Sequence, residues 1–204
     1  DVFVDKVLDK TEGFFVDIGA GTGGLPTHTP GFYSNTYYFE TFKNWKGIAI
    51  DYDVEWWTNV NKARSAKCLC VDLLEVNINE VLDKSNCPTE IDYLSIDVDD
   101  AQMKVFNDFD FDKYKFKVLT LEHNLFQSDP DCGQKKTEEH RKKILKEHAY
   151  YREVLSKHGY KLLWADVCLD GYGPVEDWFV DEETFEKNKN IQKEYANCLE
   201  TMNI

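Results

Sequence analysis

The run Asp17-Ile18-Gly19-Ala20-Gly21-Thr22-Gly23-Gly24 joins an apolar stretch to a loop. Glycines in such a place let the backbone come close to a ligand at the carboxyl edge of a parallel sheet. Gly19, Gly21 and Gly24 also satisfy the G-x-G-x-x-G spacing that dinucleotide sites share. Asp51 ends the next apolar run. Its carboxylate can accept hydrogen bonds from two ribose hydroxyls, or it can cap a helix or sit solvated in a loop. Asp72-Leu73 follows a third run and offers a carboxylate and an amide to an adenine edge, or forms a simple turn. Asp97 and then His123-Asn124 follow a fourth and a fifth. A histidine at a sheet edge can serve as a general base, and a lone histidine can equally be structural.

The elements that would position these residues alternate between short apolar runs and amphipathic stretches, the pattern of a parallel sheet with crossover helices. Val2, Phe3, Val7 and Leu8 predict an opening helix, and residues 14–19 a first strand. Pro26 and Pro30 bar a helix from the loop at 20–34. Ser34 or Asn35 can cap a helix to about Asn44, and Asp53 a second one carrying Val54, Trp57 and Val60. Strands are predicted over 47–51, 67–71, 91–97, 116–121 and 160–167, with a seventh at Trp178-Phe179-Val180. Helices are expected near 76–82 and around Met103, Val105 and Phe106. A long helix at 137–157 aligns Arg141, Ile144, Leu145, His148, Tyr151 and Leu155, and Gly159 ends it. With neither a repeat nor a linker, residues 1–204 read as one domain, its core at about 12–182 and a charged tail at 183–204.

Composition narrows the function. The 204 residues include 38 acidic and 24 basic ones, a formal net charge of −14, which disfavours nucleic acid as a partner. Lys135, Lys136, Arg141, Lys142 and Lys143 are interrupted by Glu138 and Glu139 and read as a solvated helix face. No apolar run approaches a membrane span, so no membrane insertion is expected. Cys68, Cys70, Cys87, Cys132, Cys168 and Cys198 form no CxxC pair, which suits reduced thiols and a cytoplasmic setting. No signal peptide is visible, and the first residue is Asp1 rather than Met, as in a chain trimmed from a longer one.

Several segments in order carry a family likeness: Gly13 to Ala20, Ser34-Asn35-Thr36, Trp45 to Asp51, Ile91 to Asp97, Val118 to Asn124, Gly159-Tyr160 and Asp177-Trp178. In this series the chain resembles the FkbM-type S-adenosylmethionine-dependent methyltransferases. The resemblance implies an α/β, Rossmann-like class I fold: a central, mostly parallel seven-stranded sheet flanked by helices, its last strand antiparallel. It implies transfer of a methyl group from S-adenosylmethionine to a hydroxyl of a sugar or other small molecule. By position, Asp17, Gly19, Ala20 and Gly21 would line the methionine end of the cofactor, with Asn35 and Thr36 at its carboxylate. Asp51 and the adjoining Tyr52 would meet the ribose, and Asp72 with Leu73 the adenine. The chain departs from the family in Asp97-Val98-Asp99-Asp100-Ala101-Gln102, where an acid, Glu-Gly and a further Glu are frequent, and in Tyr52-Asp53, where Pro is frequent.

A hydroxyl acceptor must lose a proton, which calls for a base or a metal. His123 and Asp97 are the catalytic candidates. Asp97, His123 and Asn124 also stand where catechol-type O-methyltransferases hold magnesium, which makes them a candidate site for magnesium or manganese, against a metal-free polar pocket. Two further functions remain open: a nicotinamide-dependent oxidoreductase, which shares the glycine spacing, and a cofactor-binding module without catalysis. The prolines that delay the helix, and an Asp51 lying beyond the roughly 20 residues usual for NAD, point away from a dinucleotide. The acceptor is a small molecule or carbohydrate of unspecified identity.

Overall fold

A computed structural model describes residues 2–21, 34–131, 136–169 and 173–191. Gly23, Gly24, Pro26, Pro30, Cys132, Lys135 and Cys198 lie outside the described residues. The helices are α1 (Val2–Leu8), α2 (Tyr37–Phe42), α3 (Val54–Val60), α4 (Ile78–Lys84), α5 (Gln102–Asp108), α6 (Glu138–Lys157) and α7 (Glu182–Asn188). The strands are β1 (Phe14–Ile18), β2 (Lys46–Asp51), β3 (Lys67–Cys70), β4 (Glu90–Ile96), β5 (Lys115–Glu122), β6 (Lys161–Leu169) and β7 (Gly173–Val180). Their order is β3-β2-β1-β4-β5-β7-β6 in a mixed sheet, with β1 parallel to both β2 and β4, and β7 antiparallel to β6. The chain divides into two compact units, Asp1–Thr120 and Leu121–Ile204.

In the first unit, strand positions are apolar on both faces because helices cover both sides of a parallel sheet. Phe15, Val16, Ile18, Ile48, Ala49, Ile50, Leu94 and Ile96 are all buried. Asp17 is the exception within β1, only 1% exposed. Aromatic packing seals the layers: Phe39 meets Trp45 at 4.7 Å between ring centroids and Tyr93 at 5.8 Å. A second cluster joins Phe106, Phe109, Phe111 and Phe116. Capping follows the sequence. The Asp53 carboxylate accepts from the amides of Glu55 and Trp56, and Ser34 Oγ accepts from those of Thr36 and Tyr37.

The second unit holds α6 and the β6–β7 hairpin. Thr137 caps α6 by accepting from the His140 amide at 3.1 Å. His148, Tyr151 and Leu155 are buried along one stripe, whereas Leu145, expected with them, is 51% exposed. One step past Ile144 turns a helical residue about 100° away from the stripe. The hairpin is longer than Trp178-Phe179-Val180 alone predicts, because backbone pairing carries β7 back to Gly173 through positions with no apolar alternation. Its register shifts between Trp164 and Val167, a bulge in which Asp166 takes φ +54°. Among the described residues no helix is long and apolar enough to cross a membrane.

Candidate active site

In the order β3-β2-β1-β4 the chain winds outward from β1 in one direction and resumes on its other side at β4. Such a switch point opens a crevice at the carboxyl ends of the strands. Gly19 stands there with φ +92°, and a Cβ on it would collide with the carbonyl oxygen of Asp97. The chain can make this close approach only with glycine. The amides of Gly19 and Ala20 donate to Ile50 O at 2.9 and 3.0 Å, and the Gly21 amide donates to Asp51 Oδ2 at 2.7 Å. A Cβ on Gly21 would strike the same carboxylate. The glycine turn is thus built onto the end of β2, and a side chain at either glycine would force it off.

Asp51 also accepts at Oδ1 from the Asp53 amide at 2.8 Å. Among the described residues these bonds leave the carboxylate able to accept from a ligand hydroxyl as well. Burial pushes its pKa up, against the backbone amides that favour the charged form. Tyr52 beside it is 74% exposed. Asp72 is exposed and accepts from the Leu74 amide at 2.9 Å, the turn its sequence allowed, while Leu73 is buried. Asp97 is exposed at the end of β4, its amide donating to Ile18 O at 2.9 Å. Asp99 follows with φ +44° and a pKa raised by partial burial and by the charges of Asp97 and Asp100.

Behind the turn lies a buried network that the sequence does not announce. Thr36 Oγ1 donates to Asp17 Oδ2 at 2.6 Å and accepts from Arg64 Nη2 at 2.8 Å. Arg64 also pairs with Glu40 through Nε and donates to Ser34 Oγ at 3.2 Å. Glu40 in turn accepts from the Ala66 amide at 2.8 Å. Burial raises the Asp17 pKa, with Arg64 and the Thr36 hydroxyl opposing. Thr36 is 0% exposed, so its hydroxyl fixes Asp17 and is not presented to a ligand. Asn35 reaches Ser95 Oγ at 3.1 Å. Nothing in the local sequence around Arg64 marks it, since its partners come from 24 to 30 residues away.

His123 belongs to the second unit and faces inward, its side chain 1% exposed. Its Nδ1 accepts from the Leu125 amide at 3.1 Å, and its Nε2 lies 3.4 Å from Asp177 Oδ1. A neutral ring so held carries its proton on Nε2, which leaves no lone pair for general-base work. Among the described residues the one convergent group of metal-ligating side chains is His123, His148, Asp166 and Asp177. Asp97 is not in that group, and the partners that converge on His123 come from α6, β6 and β7. Asn124 itself turns the chain with φ +52°. Arg152 binds both oxygens of Asp177 at 2.7 and 2.8 Å and Asp166 Oδ1 at 2.7 Å. Burial would raise the Asp177 pKa, but Arg152, the two imidazoles and the Asp166 amide hold it far below the usual carboxylate range.

A cavity of about 410 Å³ opens at the other edge of the sheet, lined by Phe14, Lys46 and Lys67 at the starts of β1, β2 and β3. None of the candidate residues lines it.

The strand order and the glycine turn at its switch point define a class I methyltransferase fold. Among solved structures, the fibrillarin pre-rRNA processing protein of Methanococcus jannaschii is similar at 15% identity, with a TM-score of 0.51 over 85% of this chain and 68% of that one. The methyltransferase domain of bacterial CtHen1-C aligns at 12% identity over 88% of this chain and 94% of that one, with a TM-score of 0.47. Residues 70–162 match the family model described as the methyltransferase FkbM domain. No curated protein matches the chain.

Proposed function

We propose that this methyltransferase uses S-adenosylmethionine and acts on a hydroxyl group of a sugar or another small molecule. The observation that carries the reading is the Gly19–Gly21 turn locked onto Asp51 at the carboxyl ends of β1 and β2. These residues fit the cofactor: backbone without side chains on one side, and a half-buried carboxylate that can accept a ligand hydroxyl on the other.

When bound, S-adenosylmethionine supplies an electrophilic methyl group. Asp51 accepts from the ribose hydroxyls, with Tyr52 beside it. Asp72 and Leu73 border the adenine, and Asp17 and Thr36 hold the turn from behind. Asn35, which donates to Ser95 Oγ, is the residue for the carboxylate end. In-line transfer draws much of its rate from such positioning. Asp97, exposed at the end of β4, takes the acceptor's proton. His123, with Nδ1 occupied, keeps an ordering role. The charge of −14 suits a neutral acceptor and no nucleic-acid partner. Cys68, Cys70, Cys87 and Cys168 are free thiols, which supports a cytoplasmic setting.

Calorimetric titration with S-adenosylhomocysteine and, separately, with NAD tests the reading. Micromolar binding of the first, lost in Asp51→Ala, is expected. Binding of NAD, or of neither ligand by folded protein, would overturn it.

A further inference from the structure

His123 and His148 meet edge to face, their ring centroids 4.5 Å apart, and the Nε2 atoms of both are buried without a hydrogen bond. A buried polar atom left unpaired costs about 1–3 kcal/mol, so two at one point call for a partner. The carboxylates are close by. His148 Nε2 lies 3.2 Å from Asp166 Oδ1 and 3.5 Å from Asp177 Oδ2, and no pair has the alignment of a hydrogen bond. Those separations match the spacing of about 3.0–3.4 Å between neighbouring ligands that each sit about 2.1 Å from one metal ion.

The remaining lone pairs decide which atoms can ligate. Asp177 Oδ1 is filled by Arg152 and the Asp166 amide, whereas Asp177 Oδ2 and Asp166 Oδ1 each accept one hydrogen bond, from Arg152, and keep a lone pair. His123 carries its proton on Nε2, because Nδ1 accepts from Leu125. It can donate to a carboxylate but cannot ligate. His148 with its proton on Nδ1 offers the Nε2 lone pair.

We propose that His148 Nε2, Asp166 and Asp177 bind a divalent transition metal, with Arg152 and His123 holding the carboxylates from outside. One imidazole with two carboxylates favours manganese, iron(II) or zinc over magnesium or calcium. The outer donors orient the ligands, as such partners commonly do in metal sites. Three protein ligands leave coordination positions for water, and Asp166, 42% exposed, marks the side open to solvent. The bulge with φ +54° at Asp166 is what turns its carboxylate toward Asp177. The guanidinium beside two carboxylates leaves one net negative charge, which draws a dication in.

The test uses chelator-treated full chain titrated with manganese, zinc and magnesium chloride by calorimetry, with cobalt(II) absorption as a second readout. One equivalent of manganese or zinc is expected, with a raised Tm, at an affinity at least about tenfold above that for magnesium. His148→Ala and Asp166→Asn should each abolish binding. Asp166 is exposed enough that its variant keeps the fold even if His148→Ala does not. His123→Ala should weaken binding by about tenfold or more. Wild-type protein that binds no ion, or an Asp166→Asn variant that binds as the wild type does, would overturn the proposal. Binding of S-adenosylhomocysteine is measured separately and does not depend on the outcome.

Discussion

Gly19 and Asp17 lie two residues apart and are constrained in opposite ways. Gly19 needs the absence of a side chain, because its φ of +92° and the carbonyl of Asp97 exclude a Cβ. Gly19→Ala should cost about 2 kcal/mol or more, read as a fall in the urea midpoint, and should abolish binding of S-adenosylhomocysteine. Unchanged binding would remove the turn from the cofactor site. Asp17 carries a carboxyl whose pKa burial raises, so within that window the folded state binds more protons than the unfolded one. Its contribution to stability therefore falls as pH rises from the ordinary carboxyl range through the raised value. Asp17→Asn has no such titration and can still accept from Thr36. The stability of this variant relative to wild type should improve from about pH 3 to about pH 7, and a flat difference would mean that Asp17 is not perturbed.

At the scale of elements, caps and bulges do what apolar periodicity does not. The 20-residue α6 is strongly charged, so its start depends on Thr137 accepting from the His140 amide. Thr137→Ala should lower stability by about 1 kcal/mol, and Thr137→Ser should restore most of the loss; equal losses in both would assign the effect to packing instead. The irregular β6 shows the limit of pattern reading. Alternation along Tyr160 to Val167 marks a strand, but the register shift that places Asp166 next to Asp177 has no signature in residue type. The start of β7 was equally silent, because Gly173 and Pro174 read as loop until their pairing with Leu169 and Cys168 is seen.

For the whole molecule the dominant number is the net charge of −14. Self-repulsion of this size is screened by salt, so Tm should rise by a few degrees between about 20 mM and about 300 mM sodium chloride. A Tm that stays level or falls would mean that local ion pairs, such as those of Lys10 with Asp92 and Lys43 with Asp5, already compensate the acids. The sequence by itself determined the alternation of strands and helices, the class of fold and the carboxyl-edge residues Gly19, Gly21 and Asp51. These are local properties: periodicity, the special freedom of glycine, and an acid at the end of an apolar run. Only the tertiary structure decided that Arg64 ties Asp17 to Glu40 through Thr36, and that His123 turns inward to Asp177 and not outward as a base. The reason is physical. A buried charge is stable only with partners, and the identity of those partners depends on which distant segments the sheet brings together, a quantity that no local spacing encodes.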